Sequence, residues 1–175
     1  MEMRFGNTAK ESGMLTQGAA GALTISVASP ADASLLAGLI RVSFQPVAQL
    51  FGLTAENCPR HPSNCQPDWI EKDRARGVVY FLLKAVGEPC GCAAFEKADA
   101  DGCYLERLAV LPAHQRKGYG RMLVAHVVDF ARQAGSHHVR IAIIAKHQSL
   151  RTWYERLGFV AQETKAFPQL PFEIL

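Results

Sequence analysis

Leu108-Ala109-Val110-Leu111-Pro112-Ala113-His114-Gln115-Arg116-Lys117-Gly118-Tyr119-Gly120-Arg121 decides how this chain is read. An apolar strand runs into Pro112. Two glycines follow at alternate positions, with Arg116, Lys117 and Arg121 beside them. A helix starts there and runs from about Lys117 to Ala134, because Met122, Leu123, Val127, Phe130 and Ala131 recur at helical spacing before Gly135. The first N–H groups of a helix lack partners and lie at the positive end of its dipole. Glycine lets an anion approach the backbone without meeting a β-carbon. The combination describes a pyrophosphate site. It is neither G-x-G-x-x-G nor a loop ending in G-K-[S/T], so the dinucleotide and Walker fingerprints both fail. Taken alone, the stretch also fits an ordinary turn with solvated cations.

Working outward, Leu23-Thr24-Ile25-Ser26-Val27 alternates like a half-buried strand, and Ser29-Pro30-Ala31-Asp32 opens a helix whose apolar face carries Leu35, Leu36, Leu39 and Ile40. Residues 45–67 hold four prolines and two cysteines, which predicts an irregular segment with at most one short helix. A charged helix is expected over 69–76. Strands over 78–86 and 90–97 flank the turn Gly87-Glu88-Pro89, and a third strand spans 103–110. Beyond the long helix, Val139, Ile141 and Ile143 alternate in a strand. Leu150, Trp153, Tyr154 and Leu157 mark a short helix closed by Gly158, and 159–165 and 172–175 fit a terminal strand pair. The order predicts one mixed α/β domain over 22–175 behind a flexible leader over 1–21.

With 175 residues, 49% hydrophobic and 20% charged, the chain has ordinary globular composition. A net charge of +3 gives no reason to expect nucleic acid as a partner. The apolar run at 78–83 is far short of the ~18 residues of a membrane span, so no membrane association is expected. The first 21 residues lack the apolar core of an export signal, which places the chain in the cytoplasm. Five cysteines, an odd number, then read as free thiols. Cys58, His61 and Cys65 have a ligand-like spacing, but a closed zinc site wants four ligands, and no metal is expected.

The run Q-R-K-G-Y-G at 115–120 resembles the acetyl-CoA signature (Q/R-x-x-G-x-G/A) of the GNAT superfamily of N-acetyltransferases. The preceding E-R-L-A-V-L-P is similar to that family's splayed fourth strand, and T-W-Y-E-R-L-G-F at 152–159 to its closing helix-to-strand segment. The resemblance extends from about Leu23 to the C-terminus. It implies a mixed, mostly antiparallel sheet of six to seven strands with about four helices.

It also implies roles. The pantetheine arm of acetyl-CoA would lie along Leu108, Ala109 and Val110 as an added strand, and Gln115, Arg116, Lys117, Gly118, Tyr119, Gly120 and Arg121 would hold the pyrophosphate. His147 stands where the family often has a cofactor-contacting asparagine, or is a surface residue. Tyr154 takes the family's proton-donor position or, alternatively, belongs to the core. A backbone N–H near Ala109 or Val110 would receive the oxyanion. Glu106 is the candidate base, or else a surface acid. Ala142 stands where some members carry a fifth-strand glutamate. Phe44, Phe51 and His61 are the candidate acceptor walls, since the family's segment between first helix and second strand commonly shapes that pocket. The implied activity is acetyl transfer from acetyl-CoA, without a metal, to a primary amine of a small molecule or peptide. A non-catalytic acyl-CoA-binding regulatory module is the rival reading, and a second copy of the chain is a candidate partner.

Overall fold

The computed structural model describes residues 1–5 and 23–175. Strands β1 (Glu2–Arg4), β2 (Leu23–Val27), β3 (Val79–Ala85), β4 (Glu88–Lys97), β5 (Gly102–Val110) and β6 (His138–Arg140) form one sheet in the order β1-β6-β5-β4-β3-β2. All pairs are antiparallel except β5–β6. Helices α1 (Ala33–Phe51) and α2 (Pro67–Ala75) cover one face, and α3 (Tyr119–Gln133) covers the other. Helix α4 (Gln148–Arg156) follows β6.

The apolar run at 78–83 is explained by this sandwich. On β3, Tyr80 and Leu82 enter the core under α1 and α2, while Phe81 and Leu83 enter the core under α3. A strand covered on both faces has no solvent side to keep polar. Helix α1 is by length and composition apolar enough to cross a membrane. Here Leu36, Ala37, Leu39 and Ile40 are buried in the core beneath it.

Four expectations need correcting. The strand expected to carry Val139, Ile141 and Ile143 ends at Arg140. Glu2–Arg4 is an edge strand on β6 and Met1 is buried, so the leader reading fails for residues 1–5; residues 6–21 of that reading lie outside the described residues. Helix α1 runs through Pro46 to Phe51, past the start of the segment expected to be irregular, and ends at Gly52 with φ +62°. Apolar burial outweighed the missing N–H. The terminal strand pair is reduced to bridges: Val160 to Glu2, and Ile174 to both Ile144 and Lys165.

The third strand of the sequence reading, β5, contains a bulge. Ala94 faces Glu106 and Cys92 faces Ala109, so two steps along β4 match three along β5. Arg107 is the inserted residue, at φ +52°. Leu105 and Leu108 both join the α3-side core, which leaves Glu106 and Arg107 together on the α1–α2 side.

Candidate active site

Strand β6 leaves β5 early. They pair from Gly102–His138 to Tyr104–Arg140, after which the N–H of Ile141 donates to Met1 O and that of Ile143 to Leu175 O. The far half of β5 therefore has a free edge. A cleft of about 830 Å³ opens along it, bordered also by the 112–121 turn, α4, residues 141–144 and α1.

The turn is built as an anion cradle. Pro112–His114 forms a 3-10 turn, Arg116 sits at φ +60°, and Gly118 caps α3 at φ +83°. Met122 bonds back to Gly118 O at 3.1 Å, whereas the N–H groups of residues 116–121 find no backbone acceptor among the described residues. Six unpaired donors at the start of a fifteen-residue helix are what a diphosphate would satisfy. The two glycines serve different ends. A β-carbon at Gly118 would meet nothing within 4 Å, so its positive φ is the requirement, whereas one at Gly120 would lie 3.3 Å from the Trp153 ring. Arg116, Lys117 and Arg121 are exposed around the turn.

The direction of the β5 backbone follows from two bonds. The N–H of Leu111 donates to Cys90 O on the β4 side at 2.9 Å, so alternation turns the N–H and C=O of Val110 to the free edge. The Gln115 side-chain amide meets that carbonyl at 3.2 Å. Of the two expected oxyanion donors, Val110 N–H is the one that faces the cleft.

Tyr154 and Glu106 both line this cleft. Tyr154 is buried, its ring edge-on to Trp153 and Phe159, and burial drives its phenol well above the ordinary value. Burial also raises the Glu106 carboxyl, against the pull of Arg107. His147 caps α4: its Nδ1 accepts the Leu150 N–H at 3.3 Å, and burial lowers its pKa. It performs the local task of a capping asparagine and also reaches the cleft.

Phe44 and His61 meet edge to face at 5.9 Å on the cleft wall. His61 is 6% exposed, its Nδ1 lies 2.8 Å from Ser63 Oγ, and burial lowers its pKa. Its ring is committed to this turn. Among the described residues no cluster fit to hold a metal occurs. Two expected residues lie elsewhere. Lys117 does not line the cleft, and Phe51 packs on His147 at 5.5 Å in a satellite cluster with Ala48, Leu53, Cys58 and Ile144.

Among the lining residues given no role in the sequence are Tyr104, Arg107, His114 and Trp153. Trp153 and His114 belong to the quoted motifs and were open to notice. The placement of Arg107 depends on the bulge, which leaves no local signal.

A sequence profile described as the acetyltransferase (GNAT) family matches residues 44–159. Streptothricin acetyltransferase of Streptomyces lavendulae is 31% identical over 53% of this chain and 49% of its own length. The L-amino acid N-acyltransferase of Escherichia coli is 30% identical over 58% of this chain and 60% of its own length. The chain thus spans about half to three fifths of these curated relatives. The crystal structure of the PaiA N-acetyltransferase from Thermoplasma acidophilum, in complex with coenzyme A, superimposes with a TM-score of 0.71 at 17% identity, over 87% of this chain and 97% of that one.

Proposed function

As the chain belongs to the acetyltransferase (GNAT) family, we propose that it transfers the acetyl group of acetyl-CoA to a primary amine by direct attack. The observation that carries this reading is the meeting, in one cleft, of the unpaired N–H groups at 116–121, the free edge of β5 and two protonatable side chains. Acetyl-CoA supplies the thioester. Residues 116–121 would hold its diphosphate, and Leu108 and Val110 would offer backbone partners to its extended arm. Lys117 would contribute charge from outside the cleft, and Gln115 would steady the turn.

Glu106 takes a proton from the ammonium, directly or through water, and so exposes the nitrogen lone pair. The Val110 N–H faces the oxygen on which negative charge develops. Tyr154 gives its proton to the departing thiolate; burial keeps the phenol protonated until that charge arrives. The five buried free thiols support a cytosolic location.

Release of the CoA thiol, measured across polyamines, amino acids, aminoglycosides and peptides, tests the reading. Tyr154→Phe is expected to keep the acetyl-CoA KM and lower kcat by ~10²-fold. Acetyl-CoA binding without thiol release from any amine would favour the regulatory module.

A further inference from the structure

The polar groups around Asp73 sort by partner. Asp73 accepts the Tyr80 hydroxyl at 2.6 Å and an Arg76 nitrogen at 2.6 Å, and the other Arg76 nitrogen donates to Glu96 at 2.7 Å. Glu106 and Arg107 remain. Glu106 makes no hydrogen bond among the described residues, while Arg107 forms a long ion pair with an Asp73 carboxylate oxygen at 3.9 Å and interacts with the Tyr80 hydroxyl. Arg107 Nε is buried without a partner, the guanidinium lies 5.9 Å from the Trp69 ring centre, and the side chain is only 19% exposed on the cleft wall.

A guanidinium carries five N–H donors in a rigid plane and does not give up its charge. Asp73 is already engaged by Tyr80 and Arg76 and at 3.9 Å leaves the fork only partly met, with Nε unpartnered, and the φ of +52° that turns it there adds backbone strain. The group that matches the fork is a carboxylate, which it grips through two parallel bonds. The adjacent Glu106 suits a cation, and the bulge sets both on one face. His61 does not compete for the anion, since burial keeps its ring neutral.

We propose that the acceptor is an amino-acid-like zwitterion, its carboxylate held by Arg107 and its amine directed to Glu106. The inference rests on the acetyl-transfer reading and names its substrate class and a specificity-determining residue. The carboxylate is unchanged in the reaction. The new bond is N–C and the broken bond is C–S; of the two protons the ammonium loses, one passes to Glu106 and on to solvent, and the second replaces the one that Tyr154 gives to the thiolate.

Matched acceptors test this: leucine with leucinamide and isoamylamine, and phenylalanine with phenylalaninamide and phenethylamine, each read as kcat/KM by thiol release. The amino acids should exceed their uncharged-end analogues by ~10²-fold or more. Arg107→Gln should bring that ratio close to one through the acceptor KM, leaving the acetyl-CoA KM in place, and Arg107→Lys should restore part of it. If the wild-type protein uses amides and simple amines as well as the amino acids, the proposal is wrong and acetyl transfer still stands. If acetyl-CoA binds and no amine releases thiol, the acetyl-transfer reading falls and takes the proposal with it. The wild-type comparison decides even where Arg107→Gln does not fold.

Discussion

Glu106 carries a raised pKa because partial burial disfavours its charged form, and that has two consequences of opposite sign. Below the ordinary carboxylate range the group is protonated in both folded and unfolded chains. As pH rises through the elevated folded pKa, its charge costs stability. Glu106→Gln is therefore expected to raise the thermal midpoint at neutral pH, with the gain vanishing in acid. The proposed role as base needs the charged form. The wild-type kcat/KM should climb along an acid limb that Glu106→Gln lacks, and a variant that keeps this limb would show another base at work. His61 and Phe51 make a second residue-scale contrast, since His61 lines the cleft and Phe51 packs behind His147. Separate alanine substitutions should raise the acceptor KM for His61 alone; an equal rise for Phe51 would contradict this division.

At the scale of elements, the turn into α3 depends on two glycines for two reasons. Gly118→Ala meets no atom but must hold φ +83°, which costs about 1 kcal/mol of stability with little effect on acetyl-CoA affinity. Gly120→Val drives a branched side chain at the Trp153 ring, 3.3 Å from the first added carbon. It is expected to weaken acetyl-CoA binding by ~10-fold or more in a folded protein. Calorimetry on both variants separates them, and unchanged affinity for Gly120→Val would remove the phosphate assignment from this turn. The bulge in β5 is the other element-scale device: one inserted residue turns two neighbouring side chains to the same face.

Across the whole molecule, Asp73 ties α2 to the sheet through the Tyr80 hydroxyl and to Arg76, which in turn holds Glu96 on β4. Asp73→Asn removes the charge from a carboxylate whose side chain is 10% exposed. A loss of about 2–3 kcal/mol is expected, read from urea unfolding with an unchanged m-value. A smaller change would mean that apolar packing alone docks α2.

The elements legible in sequence were those with local causes. The period-2 pattern of residues 23–27, the hairpin turn at Gly87, and the glycine-punctuated start and end of α3 each state their geometry within a few residues. The same locality made the turn into α3 and the Tyr154 segment readable, because hydrogen-bond orphans and helical spacing are properties of neighbours in the chain. Pro46 misled the reading of α1, since a local breaker was outweighed by a buried face that only the packed sheet supplies. Strand β1 was invisible for a similar reason: three residues have no pattern until β6 offers them a ladder. The sequence by itself determined the family, the order of elements from β2 to α4 and the glycine-punctuated turn into α3. Only the tertiary structure decided that Lys117 and Phe51 stand outside the cleft, that Val110 presents its N–H to it, and that Arg107 stands beside Glu106 inside it. Those outcomes depend on strand register and a single bulge, which set the face of every side chain and arise from pairing with a distant part of the chain.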